Sequence, residues 1–355
     1  MKAAALCALA VLSVLSAWAE PLQLTYFEWE GYLSPFEQQF EAYAKTRGFE
    51  VDLVLHSKNN KPWYIADPEE IFSQVRLEVV DIVTPTHNYY KMGGGRLLHL
   101  LHPLDESKIP NLAHVHQSLK NAGYARDEEG LKAVPLLGGC YGLAYRVDAG
   151  ITPPTSWADL LKPESRGTYS VTASQFEANI YQMALLAGVP QEHIYDFDKI
   201  TPEQRKKIVE YTTQLVINAE SFWEGMPYPE DIQRLSYVSD NAFGVSAAKK
   251  AGQRWQFVHP VEGETTWMDN LSMTRTCAKN PQKLEVAYLL LDFYLSPEIQ
   301  AKLQSTYDII SPCMNQEMQH LDSGTLWRPL TDRTRNQYKR IWDEAVAARM
   351  KQLKK

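Results

Sequence analysis

In the stretch Thr266-Trp267-Met268-Asp269-Asn270 a tryptophan and an aspartate stand two positions apart. In an extended segment, residues i and i+2 project from the same side. One face of such a strand then presents an indole beside a carboxylate, and both attract an ammonium group. A surface strand with a half-buried Trp and a solvated Asp would carry the same two residues. Other chemistry is poorly provided for. His99-x-x-His102 and His114-x-His116 have usable metal spacing. They lie in polar, loop-like sequence with no cysteine or carboxylate cluster beside them, so no metal site is expected. Met92–Arg96, "MGGGR", lacks the Lys-Ser/Thr of a phosphate loop and reads as a turn. No G-x-S-x-G elbow or H-E-x-x-H helix occurs, and no spacing of carboxylates singles out an acid/base couple. The expectation is a binding protein without a cofactor, not an enzyme.

The elements that must position these residues read as α/β. "LQLTYF" (22–27), "VDLVLH" (51–56) and "VVDIVTP" (79–85) are strands. Between them lie an amphipathic helix over 34–48, opening Ser-Pro and stopping at Gly48, and a helix with Asp67 as N-cap and Pro68 in its first turn. This β-α-β-α-β order predicts a parallel sheet with ligands beyond the carboxyl ends of its strands, at "EWEGY" (28–32) and "THNYY" (86–90). Two apolar extended segments meet around Gly138-Gly139, where the chain can pass into a second domain. Helices then start at Thr201, Asn280 and Ser296, each followed by proline, and Ser156 with Asp159 has capping-box spacing. "TWMDN" falls at a later crossing between two α/β domains.

The N-terminus has Lys2, a short apolar run and Ala17-Trp18-Ala19 before Glu20, the pattern of a cleavable secretory signal over residues 1–19. A soluble, exported protein is expected. Lys and Arg number 36 against 43 Asp and Glu, a formal charge of −7 that argues against a nucleic-acid partner and favours cationic ligands. Cys140, Cys277 and Cys313 allow at most one disulfide within the mature chain, which the spacing does not identify.

Several segments, in order, carry a family resemblance: "YFEWEGYLSPFEQQF", "DIVTPTHNYYKM", "TSWADLLKPESRG", "YQMALLAG", "HPVEGETTWMDNLSM" and "LLLDFYLSPEIQAKL". From about residue 22 to its end the chain resembles the periplasmic spermidine/putrescine-binding proteins. The resemblance implies a type II two-lobed fold that closes on its ligand about a hinge. Each lobe would be a mainly parallel sheet flanked by helices. The N-terminal lobe would comprise 20–138 with 271–310, and the C-terminal lobe 139–270 with 311–355. It implies that Trp267 and Asp269 hold a polyamine, the carboxylate on an amine and the indole on the methylene chain. Trp29 and Tyr32 match the family's first-strand motif, with Glu30 where threonine is usual. Thr86 keeps a family hydroxyl, while Asn88 replaces an aromatic contact. The family's Asp and Glu before its "FQMAL" run are missing; Glu177 stands out of register and Asn179 occupies an acidic position. Val238 replaces a family tryptophan, with Tyr237 and Asp240 as nearby substitutes. These departures leave open which polyamine fits: spermidine, putrescine, norspermidine or another. The implied partner is an ABC permease in the inner membrane. An alternative is a membrane receptor that senses polyamine and controls cyclic-di-GMP and biofilm formation, as some relatives do. A monomer in the periplasm is expected. Ferric-ion-binding relatives share the fold and use paired tyrosines, so Tyr89-Tyr90 keeps an iron reading open.

Overall fold

The computed structural model describes residues 20–307, 309–313 and 326–354. The expected signal, residues 1–19, lies outside the described residues. The first third folds as β1 (Leu22–Phe27), α1 (Glu37–Thr46), β2 (Val51–Leu55), α2 (Pro68–Arg76) and β3 (Ile82–Val83). β1 pairs in parallel with both β2 and β3. Helix α2 starts as its residues dictate: the Asp67 carboxylate accepts from the Glu69 N–H, Pro68 takes the first turn, and Glu69 and Glu70 face the dipole's positive end. Two expected bounds shift. Ser34–Phe36 forms a 3-10 turn and α1 begins at Glu37. The strand expected over 79–85 reduces to Ile82–Val83, because a 3-10 segment takes over at His87.

The second half supplies β4 (Val134–Arg146), β5 (Tyr169–Thr172), α3 (Phe176–Leu186), α4 (Pro202–Asn218), β6 (Ser221–Trp223), β7 (Tyr237–Asp240), α5 (Phe243–Lys250), β8 (Trp255–Val258) and β9 (Thr265–Met273). α6 (Pro281–Tyr294), α7 (Pro297–Tyr307) and α8 (Asp332–Leu353) follow. The strand order is β6-β5-β7-β4-β9-β3-β1-β2, with β8 also on β4. Parallel pairs hold each outer part, β2-β1-β3 and β6-β5-β7. The long strand β4 and strand β9, antiparallel to one another, run between them. The result is a two-lobed α/β fold. Early in its length β4 pairs with β9, and from Gly142 onward with β7 and β8. All nine residues of β9 are buried, as expected of a strand at the centre of a sheet. Helix α8 returns to pack on α3 and α4 through buried Tyr338, Ile341 and Trp342. Each such large apolar side chain contributes roughly 1.5–3 kcal/mol on full burial.

Candidate functional site

The site begins where β4 and β9 cross. A Cβ on Gly138 would sit 2.7 Å from the Trp267 carbonyl oxygen, and one on Gly139 would sit 2.8 Å from Trp267 Cζ2. Glycine at both positions lets the Trp267 backbone and ring approach β4 this closely. The register between the two strands shifts after Asp269, between it and Asn270. Trp267 and Asp269 therefore keep the common face that their spacing predicts, and the bulge that ends it re-aims the chain just beyond.

Asp269 is 2% exposed. Its Oδ2 accepts from the Tyr32 hydroxyl at 2.5 Å, and its Oδ1 has no protein partner. Burial pushes the carboxyl up to about 7, against the opposing pull of the Thr86 and Tyr32 hydroxyls. Tyr32 is delivered by the turn after β1, which an unanticipated residue fixes. Glu28 is wholly buried, and its carboxylate accepts from the Leu33 and Ser34 N–H groups. Burial raises it to about 7 as well. Within that turn Gly31 takes φ +92°, and its carbonyl accepts from the Tyr307 hydroxyl at 2.6 Å.

These side chains line a narrow cleft, partly open to solvent. Trp29, Glu30, Tyr32, Thr86, Trp267 and Asp269 all border it. The opposing wall comes from residues the sequence did not single out: Tyr141 on β4, Gln175 before α3, Gly225-Met226, and Asn241 with Phe243 at the start of α5. Phe243 stacks between Tyr32 (5.4 Å, 21°) and Trp267 (5.8 Å, 23°). Tyr141 stacks with Trp327 at 5.5 Å and with Trp223 at 6.2 Å, and gives its hydroxyl proton to Gln175 Oε1. Asn241 is held by Nδ2 on the Gly225 carbonyl at 2.9 Å. A signal for Phe243 lay in "SDNAF", where a strand gives way to a helix. Gln175 and Tyr141 had none, since only folding brings them to Trp267.

Five expected ligand residues are placed elsewhere. Glu177 pairs with Arg335 at 3.0 Å, and the same guanidinium reaches Asp67 at 3.1 Å. Burial still raises the Glu177 carboxyl, with Arg335 pulling the other way. Asp240 accepts from the N–H groups of Gly244 (3.3 Å) and Val245 (2.8 Å), so it secures the first turn of α5. Burial lifts it to about 6. Asn179 ties α3 to β5 through Nδ2 on the Thr172 carbonyl at 2.7 Å. Tyr237 is half-buried in β7, in register with Tyr145, and does not border the cleft. Asn88 is buried in the 3-10 segment after Thr86, behind the wall and not on it. For Glu177 a guanidinium distant in sequence, and for Asp240 two backbone amides, engage the carboxylate instead.

The tyrosine pair is also inside the protein. Tyr90 bonds Ser272 Oγ at 2.7 Å, and burial drives both the Tyr89 and Tyr90 phenols well above their usual range. Forming the phenolates that iron requires is therefore opposed, and neither ring borders the cleft. Among the described residues no group of three or more His, Cys, Asp or Glu is arranged to hold a metal ion. Nor does a disulfide join Cys140, Cys277 and Cys313.

A family model described as "Bacterial extracellular solute-binding protein" matches residues 80–323. The chain is 26% identical over 298 residues to the spermidine/putrescine-binding periplasmic protein of Salmonella typhimurium, covering 81% of this chain and 77% of that one. It is 22% identical over 302 residues to the norspermidine sensor of Vibrio cholerae, covering 82% and 76%. Among solved structures, the spermidine/putrescine ABC transporter substrate-binding protein of Streptococcus pneumoniae superposes with a TM-score of 0.68 at 17% identity. That match covers 92% of this chain and 99% of that one.

Proposed function

Since the chain belongs to the bacterial extracellular solute-binding proteins, we propose that it captures an amine of the spermidine/putrescine class in this cleft, in the periplasm, and presents it to an ABC importer. Membership makes the protein a binder and not an enzyme. The observation that carries the choice of ligand is the Asp269 carboxylate. It is buried, with one oxygen lacking a protein partner, in a cleft that no Lys or Arg borders among the described residues. A buried carboxylate with no cation beside it is costly, and an ammonium group removes that cost while its methylene chain lies along Trp267, Phe243 and Trp29. The lobes of this reading are 20–138 with 271–310 and 139–270 with 311–355, hinged where β4 and β9 cross. Ligand closes them by binding more tightly to the form in which Phe243 of the second lobe meets Tyr32 of the first.

The test is a thermal-shift panel of putrescine, spermidine and norspermidine beside amino acids and sugar phosphates. A bound amine at 100 times its dissociation constant adds about 2.7 kcal/mol of stability. Stabilisation by an anionic solute, with none from amines, would overturn the reading. A second output has one observation in its favour, the 22% identity to a norspermidine sensor over 82% of the chain. The two separate in a deletion strain. Loss of labelled amine uptake marks an importer partner, whereas intact uptake with altered surface attachment marks a receptor.

A further inference from the structure

The charge in the cleft is arranged on one side only. Among the described residues its lining holds two carboxylates, Asp269 on β9 beside the joint and Glu30 after β1. Glu30 is at the rim, half-exposed, where it accepts from the Tyr228 hydroxyl at 3.1 Å. The wall opposite Asp269 carries Tyr141, Gln175, Asn241 and Phe243, with no ionised group. The two acids of that lobe that could have met a second ammonium are engaged elsewhere, Glu177 by Arg335 and Asp240 by backbone amides. The cleft also offers donors, one on this wall and two beside Asp269. Gln175 Oε1 is taken by the Tyr141 hydroxyl, which leaves its Nε2 to donate. The indole N–H groups of Trp29 and Trp267 are buried without a protein acceptor. A free polyamine is donor at both ends and satisfies none of these three groups.

Building on the amine-binding reading above, we propose that the ligand is cationic at one end only. Its ammonium sits on Asp269, and its other end is a neutral hydrogen-bond acceptor such as the carbonyl of an N-acylated diamine. A ligand of this kind fills both halves of the cleft. A diamine would have to bring its second ammonium against an uncharged wall or leave it at the solvent-exposed rim beside Glu30. An unpaired buried charge is strongly disfavoured, and a rim ion pair contributes little.

The experiment is titration calorimetry of the full mature chain with N-acetyl-1,4-diaminobutane, 1,4-diaminobutane and spermidine. The acetylated monoamine is expected to bind at least tenfold more tightly than either free amine. Gln175→Glu places a carboxylate on the uncharged wall and should reverse that order in favour of the diamine. Equal or tighter binding of the free diamine or spermidine by the native protein overturns this inference while leaving the amine-binding reading intact. Binding of none of the three overturns both. A Gln175→Glu protein that keeps the native preference for the acetylated amine overturns the role given to that wall.

Discussion

Asp269 has a carboxyl raised to about 7 by burial, against an ordinary value of 3.8. Its native form therefore holds a proton between those values that the unfolded chain has released. The stability this gives is fully present below pH 4 and is lost as pH rises through 7. Ligand binding runs the other way, because only the carboxylate pairs with an ammonium. Calorimetry across pH 5.5–8.5 is expected to show affinity climbing up to about tenfold per unit below pH 7 and levelling above it. Asp269→Asn should weaken amine binding by roughly 2–5 kcal/mol and flatten that profile. An unchanged profile in the variant would mean that another group sets the pH dependence. Trp267 and Asp269 were legible because period-two spacing needs no knowledge of the rest of the chain. Glu177 was misread because its partner, Arg335, lies 158 residues away. No local pattern announces such a pairing.

Elements were read more reliably where their start is written in adjacent residues. Asp67-Pro68-Glu69 and Thr201-Pro202 open helices as their caps require. Ser34-Pro35 carries part of the same signature yet gives a 3-10 turn, in which the Phe36 N–H bonds the Leu33 carbonyl and the Ser34 side chain makes no cap. Two predictions belong at this scale. Gly139→Ala would drive a methyl into the Trp267 ring. It should cost about 1–3 kcal/mol of stability, the range for overpacking, as read by urea denaturation. Arg335→Ala removes the guanidinium that joins the N-cap of α2 to α3. It should cost roughly 1–3 kcal/mol, mostly from the well-buried Glu177 pair, since Asp67 is 41% exposed and its pair is screened. If urea midpoints of the two single variants match the native protein, these contacts are incidental.

At the scale of the molecule, alternating strand and helix signals, with a break at Gly138-Gly139, were enough to expect two α/β lobes. The wall opposite Asp269 was not legible, since Tyr141, Gln175 and Phe243 are far apart in sequence and converge only on folding. Several contacts cross between the halves: Tyr228 to Glu30, Arg335 to Asp67, and Phe243 to Tyr32. Amine is therefore expected to shift the population toward the compact form. Small-angle scattering should record a smaller radius of gyration with ligand than without. Emission from Trp29 and Trp267, which border the cleft, should change in step. Identical scattering with saturating ligand would argue that the lobes do not move.

From Val134 to Tyr141, β4 is hydrogen-bonded to β9, and the same two strands continue into both halves without an intervening loop. A joint of that kind bends only by twisting a paired ribbon, so it behaves as a torsion spring with a rest angle, not as a slack tether. Were the lobes to move about it, opening and closing would follow one track, and elastic energy stored in one position would be returned on the way to the other. The stiffness of the ribbon, and not the affinity of the cleft alone, would set how quickly the cargo is released.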